Sequence, residues 1–597
     1  MPPTDPRNDA AVPGTPDASE TGAALQVPPT AHGLPYRPAD FQTLAEALDY
    51  AAGAHTGIAF HDGKGQLDAV LGYARLRDDA EACARRLLGL GLARGDRVAL
   101  IAETHPRFVT TFFACQYAGL VAVPLPVTVH LGGREAFVRN LERLVGHAGA
   151  RVCLGTDDYT GFIAEANFDG VLLAGEYALL DAVVPSTAPL APTRADDVAY
   201  VQFTSGSTRL PRGAVITASG VLRNVEAMLR HGLVVTPEDR FCSWLPLYHD
   251  MGLVGKLLLP MCGQISVDYL DSRVFAMRPR LWPTLISRNG ATISYSPPFG
   301  YELCARRLRG DDAAGFDLRQ WRIAGVGAEM IRADVLRRFA DAFAGSGFDA
   351  RAFMPSYGMA EVGLGLSFAR VHAPLETDHV DRDRCADEGI AVPVPAGAEH
   401  AREFVVCGHV LPGYDVEVRD DAGGLCAQRK VGEIHLHGPS TMQGYLGEPE
   451  ATAAVLKDGW LDTGDLGYWL GDQLVITGRR KDLIIVNGRN IWPQDLEYIA
   501  EGEGVRSGSA AAFAVHRADC EEVVMVLEVR IAEEAEEAAL LKRIRGAVRA
   551  EFGVDCTLVA AEPRTLPRTS SGKLSRARAA QLFEAGGIPE RRAAAGD

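Results

Sequence analysis

No apolar run in this sequence is long and unbroken enough to read as a membrane span. The best candidate, "VALIAETHPRFVTTFFACQYAGLVAVPLPVTV", is interrupted by Glu103, His105 and Arg107. It reads as a buried helix and strand, and no stable membrane insertion is expected. Positive charge is also in short supply. Lys and Arg number 60 against 77 Asp and Glu, leaving a formal net charge of −17. Nucleic acid, which is bound through cations on its phosphates, is a poor partner for such a chain. The 11 cysteines are scattered from Cys83 to Cys556, with no Cys-x-x-Cys pair and no Cys/His cluster of zinc spacing. They read as free thiols of a reducing compartment, each most simply a small buried hydrophobe. The opening stretch to Gly33 lacks the apolar segment of a secretory signal. Rich in Pro, Ala, Thr, Gly and Asp, it is expected to form a disordered tail over residues 1–37, and the protein is expected to be cytoplasmic.

What is present is ordinary globular composition, 47% hydrophobic and 23% charged, over 597 residues. At roughly 100–200 residues per domain, that length implies several domains. Helical stretches such as "DDAEACARRLLGLGL" alternate with strand-like runs such as "DRVALIA", "LVAVPLP" and "DVAYVQF". That alternation predicts an α/β fold built on parallel sheets. Between Arg370 and Val431 the helical periodicity fades into short strands separated by Gly and Pro, which predicts a β-rich subdomain. Beyond "TGRRKDLIIVNGRN" a compact α+β unit is expected, with the strand "EVVMVLEVR" and the helix "EEAEEAALLKRIRGAVRAEF". Leu540, Leu541, Ile544, Val548 and Phe552 form that helix's apolar stripe, a core face.

The stretch "VQFTSGSTRLPRGAVIT" gathers hydroxyls, glycines, Arg209 and Arg212 after a strand. Exposed amides and small hydroxyls in one loop suit a polyanion, most often phosphate. No Gly-Lys-Ser/Thr ends it, so it is not a Walker loop, and alone it reads equally well as a polar turn. Five further segments follow in order: "SWLPLYHDMGLVG", "GVGAEMI", "PSYGMAEVGLG", "GWLDTGDLGYW" and "TGRRKDLIIVNGRNIWPQDLE"; "LPRTSSGKLSR" comes near the end. In order, spacing and content this series resembles the adenylate-forming superfamily of acyl-CoA synthetases, nonribosomal adenylation domains and luciferases. Within it the chain looks most like the fatty acyl-AMP ligases.

The resemblance implies a large N-terminal domain over 38–477, with two parallel-rich sheets, flanking helices and a β-rich subdomain at about 405–477. A small mobile α+β domain over 478–585 and a tail over 586–597 complete it. It implies ATP and Mg²⁺ as cofactors. Thr204, Ser205, Gly206, Ser207, Thr208 and Arg212 would hold the ATP phosphates. Gly327, Ala328 and Glu329 would line the adenine pocket together with Tyr357, Gly358, Met359 and Ala360. Asp465 and Arg479 would meet the ribose. Lys573 would be the adenylation lysine, bridging the carboxylate and the α-phosphate, with Thr204 also in the catalytic set. Glu361 would hold the metal and His249 would position the reacting groups. Asp482 would be the hinge about which the small domain turns, withdrawing Lys573 and bringing in the segment around Gly488. Asp250, Gly252, Gly255, Phe299 and Tyr301 would line the acyl pocket, where Lys256 and Pro298 depart from the family's habit.

The segment Ser367 to Gly408 contains "VDRDRCADEGIAVP", which looks like the insertion of fatty acyl-AMP ligases, at about 370–404. The resemblance implies that this insertion packs on the C-terminal domain and disfavours CoA. The acyl group would then pass from its adenylate to the phosphopantetheine thiol of an acyl carrier protein. A fatty or related carboxylic acid is the expected substrate. Two alternatives stay open: an acyl-CoA or aryl-CoA synthetase, and a non-catalytic paralogue that binds nucleotide or acyl groups.

Overall fold

The computed structural model describes residues 25–30, 33–127, 133–204, 211–308, 310–486, 489–516, 521–531, 533–569 and 573–588. Its fold is mixed α/β, with large sheets flanked by helices. One sheet has six strands, in the spatial order Leu173–Glu176, Val152–Gly155, Arg97–Ile101, Val121–Leu125, Val198–Phe203 and Gly213–Thr217. All its pairings are parallel except the last. Strands such as Val121–Leu125 are buried at every residue, because helices cover both faces. The helix Pro106–Ala118 shows how local chemistry sets an element's ends. Pro106 occupies its first turn, the His105 ring accepts the Arg107 amide at 3.1 Å, and Gly119 leaves the helix at φ +66°.

The second sheet changes character partway across. From the hairpin of Gly57–His61 and Leu67–Gly72 it runs through Val267–Leu270, Phe241–Ser243, Ile293–Ser296, Ile323–Val326 and Phe353–Gly358 with parallel pairing. It then continues antiparallel through Gly365–Phe368, Ala401–Val410, Gln473–Arg479, Trp460–Leu470, Gly432–His437 and Asp415–Arg419. The β-rich part anticipated from composition is therefore the outer half of one 15-stranded sheet. Phe353–Gly358 is the changeover strand. Trp282, Tyr301, Trp321, Phe339 and Phe353 form an aromatic core beneath the parallel half.

The C-terminal unit has its own cores on the sheet Ala510–His516, Glu521–Glu528 and Cys556–Ala561. Leu540, Ile544, Val548 and Phe552 of the helix Glu534–Phe552 are buried as their spacing predicts, and Leu541 is partly buried beside them. Ile588 is buried in the second of these cores, so the packed chain runs past the expected end at 585. At the other end, residues expected to lie in the tail are fastened to the body. Arg240 Nη1 donates to the Pro28 carbonyl at 2.6 Å, Ser266 Oγ to Pro29 at 2.6 Å, and the Arg37 amide to Gln264 at 3.0 Å. Those three bonds hold Pro28, Pro29 and Arg37 to the body despite the disorder-prone composition around them. Among the described residues no helix is long and apolar enough to cross a membrane.

Candidate active site

In open parallel sheets, ligands bind beyond the carboxyl ends of the strands. Five parallel strands here end in the residues singled out above. Thr204 follows Val198–Phe203, the His249 segment follows Phe241–Ser243, Phe299 follows Ile293–Ser296, Gly327–Glu329 follow Ile323–Val326, and Met359–Glu361 follow Phe353–Gly358. The first belongs to the six-stranded sheet and the other four to the larger one, and the bond from Gln202 Nε2 to the Tyr248 carbonyl, at 2.6 Å, joins the end of the first strand to the His249 segment.

At the first of these loops the Thr204 amide donates to the Arg212 carbonyl at 2.8 Å, closing the loop's base. Ser205, Gly206, Ser207, Thr208 and Arg209, like Gly488 farther on, lie outside the described residues. Arg212 Nε is 3.4 Å from Glu448, and its guanidinium is 5.2 Å from the centre of the Tyr445 ring. The Tyr445 hydroxyl donates to Glu361 Oε1 at 2.9 Å. Burial raises the Glu361 carboxyl pKa, and the Tyr445 hydrogen bond opposes that rise. Tyr445 and Glu448 are site residues that sequence reasoning missed; "GYLGEPE" looks like an ordinary turn, and only tertiary contact joins it to Glu361.

Ala328 adopts φ +68°, a left-handed conformation that costs a non-glycine residue free energy. Its carbonyl accepts the Lys573 ammonium at 2.6 Å. Lys573 itself is held by Thr569, whose amide donates to the Lys573 carbonyl at 2.7 Å while its hydroxyl accepts the Lys573 amide at 3.2 Å. The C-terminal unit therefore delivers one cation among groups of the large body. Burial lowers the Lys573 pKa, and the carboxylates of Glu329 and Asp250 counteract that. Burial raises both Glu329 and Asp250, and the lysine opposes each rise. His249 is pushed down to about 3, first by burial and then by the Lys573 charge. Its imidazole is neutral near pH 7, and its buried Nε2 has no hydrogen-bond partner among the described residues. An unsatisfied polar atom aimed into a site is what an incoming ligand would pair.

Tyr357 donates its hydroxyl to Asp465 Oδ2 at 2.7 Å, and Arg479 Nε lies 3.1 Å from Asp465 Oδ1. Asp465 and Arg479 are directly opposed in the antiparallel pair of Trp460–Leu470 and Gln473–Arg479. Strand register thus joins two residues that the sequence keeps apart. Gly358 is obligatory: a Cβ there would stand 1.9 Å from the Leu364 carbonyl oxygen. Met359 and Ala360 complete this turn, Ala360 buried and Met359 partly so.

The expected acyl residues divide. Gly252 and Gly255 permit close packing, against the Pro246 carbonyl and the Leu364 side chain respectively. Asp250 Oδ1 accepts the Met251 amide at 2.7 Å. Phe299 stands edge-on to Trp244 with ring centres 5.6 Å apart. Tyr301 is fully buried in the aromatic core and donates to the Gly325 carbonyl at 2.8 Å, so its place is beneath the strand Ile323–Val326. Pro298 opens the helix Pro298–Arg307. Lys256 lies buried in a π-helical turn, Leu253–Leu258, its ammonium over the rings of Tyr295 at 4.2 Å and Phe241 at 4.9 Å.

At the junction of the two bodies, Arg480 reaches Asp462 at 2.9 Å and also Glu433, both on the large body. Two residues on, Asp482 is met at 3.5 Å by Arg576, which also makes paired hydrogen bonds of 2.7 Å to Glu497 of the C-terminal unit. The insertion segment forms a strand, Thr377–Asp381, and a helix, Arg382–Asp387, capped by Asp381. Arg382 pairs with Glu551 and lies 4.4 Å from the Phe552 ring centre. Asn490 donates to the Ala386 carbonyl at 2.9 Å, and Arg402 pairs with Asp495 at 3.0 Å. Glu361 is a hard oxygen donor in a desolvated setting, which fits Mg²⁺. The one three-residue group of metal-type donors among the described residues, Glu433, His435 and Asp462, is already engaged by Arg480.

Three comparisons bear on this arrangement. The model of the AMP-binding enzyme family matches residues 50–446. A Caulobacter vibrioides (strain NA1000 / CB15N) protein provisionally named acyl-CoA synthetase is 46% identical over 568 residues, covering 94% of this chain and 99% of its own. JamA of Moorena producens (strain JHB), a medium-chain-fatty-acid–[acyl-carrier-protein] ligase, is 31% identical over 564 residues, 90% of this chain and 94% of its own. A structure solved in work on fatty acyl-adenylate ligases from E. coli and L. pneumophila superposes with a TM-score of 0.89 at 45% identity, covering 92% of this chain and 99% of that one.

Proposed function

The chain belongs to the AMP-binding enzyme family, as an adenylate-forming ligase of the fatty-acyl type, and from that premise we propose that it joins a fatty acid to AMP and passes the acyl group to an acyl carrier protein. The observation that carries this reading is the Lys573 ammonium delivered to the Ala328 carbonyl, among His249, Asp250 and Glu329.

A carboxylate oxygen attacks the α-phosphorus of ATP, the bond to the bridging oxygen breaks, and pyrophosphate leaves. Two anions must meet, and charge builds where they do, so catalysis here is positioning and cation placement. Lys573 lies where its ammonium can hold the carboxylate against the α-phosphate. Neutral His249 can donate or accept at the reacting oxygens without adding charge. Asp465 offers acceptor oxygens to the ribose hydroxyls, oriented by Tyr357 and Arg479. The Thr204–Arg212 loop would take the β- and γ-phosphates. Bound Mg²⁺, held by Glu361, would neutralise phosphate charge.

The carrier as acceptor is supported by the insertion's grip on the C-terminal unit through Arg382, Asn490 and Arg402. Those bonds favour the arrangement with Lys573 inserted, and the turn about Asp482 that CoA thioester formation needs would break them. The likeness to JamA points the same way. An acyl-CoA synthetase is the second reading, favoured by the name of the Caulobacter relative. Product analysis with ATP, Mg²⁺ and a panel of fatty and aromatic acids separates the two. The expected result is acyl-adenylate throughout, thioester on phosphopantetheinylated carrier and none on CoA. Efficient acyl-CoA formation would select the second reading.

A further inference from the structure

At the end of the helix Pro298–Arg307, whose first turn carries Phe299, a cleft of about 880 Å³ lies where the two bodies meet. Arginines dominate its lining: Arg278 and Arg280 from the turn before the helix Leu281–Asn289, Arg306 and Arg307 from the end of the helix Pro298–Arg307, and Arg506 from the C-terminal unit. Met277 stands among them, 69% exposed. In a chain of net charge −17 this is a local reversal of sign. Arg306 and Arg307 alone would be unremarkable, since cations at a helix C-terminus offset its dipole. That account does not reach Arg278, Arg280 and Arg506, which arrive from other segments.

Three of the arginines, Arg306, Arg307 and Arg506, are also poorly compensated. Among the residues whose side chains are described, no carboxylate forms an ion pair with Arg306, Arg307 or Arg506. The nearby Glu302 accepts a hydrogen bond from Ser507 at 3.0 Å and acts on Arg306 only at longer range. Burial, Arg506 and Arg307 all work against the Arg306 charge. With the bodies so arranged, Arg506 is brought up to Arg306, and like charges in one cleft repel. An anionic partner reverses that cost.

We propose that this cleft is the docking surface for an acidic carrier protein, which sets its carboxylates and the phosphodiester of its arm against Arg306, Arg307 and Arg506 and an apolar side chain against Met277. The proposal rests on the carrier reading above and adds where the carrier lands. Phosphodiester and carboxylate oxygens are the acceptors that guanidinium forks fit best. The ATP phosphates are assigned above to other residues, Thr204 and Arg212 among them. A surface contributed by both bodies also makes docking sensitive to their arrangement.

The test uses the full chain, a fatty acid, ATP, Mg²⁺ and a purified phosphopantetheinylated acyl carrier protein. Arg306→Glu with Arg307→Glu is expected to raise the KM for carrier about tenfold or more, and Arg506→Glu by about severalfold, through reversed rim charge. Carrier-independent pyrophosphate release stays unchanged in both, which also shows that they fold. The Lys/Lys variant at 306 and 307 recovers most of the loss, and added salt raises the wild-type KM. Transfer by wild type with an unchanged KM in the Glu variants overturns the docking surface and leaves the carrier reading standing. No transfer by wild type overturns the carrier reading itself, and this surface with it. Charge-dependent retention on anionic lipid vesicles, with carrier KM unmoved, would assign the cleft to a membrane instead.

Discussion

Two lysines of this molecule are taken out of water in opposite ways. Lys573 comes from the C-terminal unit, donates to the Ala328 carbonyl and is surrounded by Glu329, Asp250 and Asp465, whose charges oppose the lowering that burial imposes. Lys256 lies inside the large body over two aromatic rings, with no carboxylate acting on it, and burial pushes it down to about 7. Around the first, carboxylates oppose the loss of its proton. The second is half neutral near physiological pH. The difference teaches that burial alone says little about a lysine's role; the signs of its neighbours decide it.

The largest effect that would break this comparison lies at Lys573. Lys573→Ala is expected to slow adenylate formation by about two to three decades, about 3–4 kcal/mol of transition-state stabilisation. Acyl transfer from presupplied acyl-adenylate should survive, so pyrophosphate release and transfer, measured separately, check the assignment. Equal loss in both would place Lys573 in a general structural role.

Lys256 should respond in the other direction. Lys256→Met removes a desolvated amine and is expected to stabilise the fold by on the order of 3 kcal/mol near pH 6, the ring contacts offsetting part of the original cost. The sign follows from the shift. The folded value of about 7 lies below the unfolded one, so between them the unfolded chain binds the extra proton. Wild-type stability therefore rises with pH from about 7 towards 10, and the variant's advantage shrinks over the same window. Thermal or denaturant unfolding of both proteins at pH 6, 8 and 9.5 measures it, and a gain that does not shrink contradicts a titrating amine.

The smallest expected effect sharpens the picture of the site around Glu361. Tyr445→Phe removes the hydrogen bond to Glu361, about 1 kcal/mol or roughly fivefold in adenylation rate. Because that bond favours the ionised carboxylate, its loss raises the Glu361 pKa, and the acid limb of the pH–rate profile should move upward. An unshifted limb would remove Glu361 from the titrating step.

Much of this was legible in the sequence because its signals are local. Strands such as Val121–Leu125 announce themselves by continuous apolar residues, and the helix Glu534–Phe552 by its period. Seven motifs in fixed order brought out Lys573, Glu361, Asp465 and His249 without any coordinates. What the sequence hid depends on register and on contacts between distant segments. Nothing near Tyr445 says that it faces Glu361, and nothing near Tyr301 says that its ring belongs to the core. Pro28, Pro29 and Arg37 lie in a stretch with the composition of a tail, yet the hydrogen-bond partners Arg240, Ser266 and Gln264, more than 200 residues away, hold them. The arginine cleft is assembled from three segments, and composition averaged over an acidic chain conceals it.

Arg480 and Asp482 are separated by a single residue, yet they answer to different bodies. Arg480 is fastened to Glu433 and Asp462, whereas Asp482 is linked through Arg576 to Glu497. Arg576 is also only three positions from Lys573, so one guanidinium ties the end of the linker to the loop bearing the ammonium. Mechanically, this leaves a swivel one or two peptide units long, with a rigid arm beginning immediately after it. The turn proposed above would be concentrated in the torsions of Lys481 and Asp482, and a few tens of degrees there would sweep Lys573 through a wide arc.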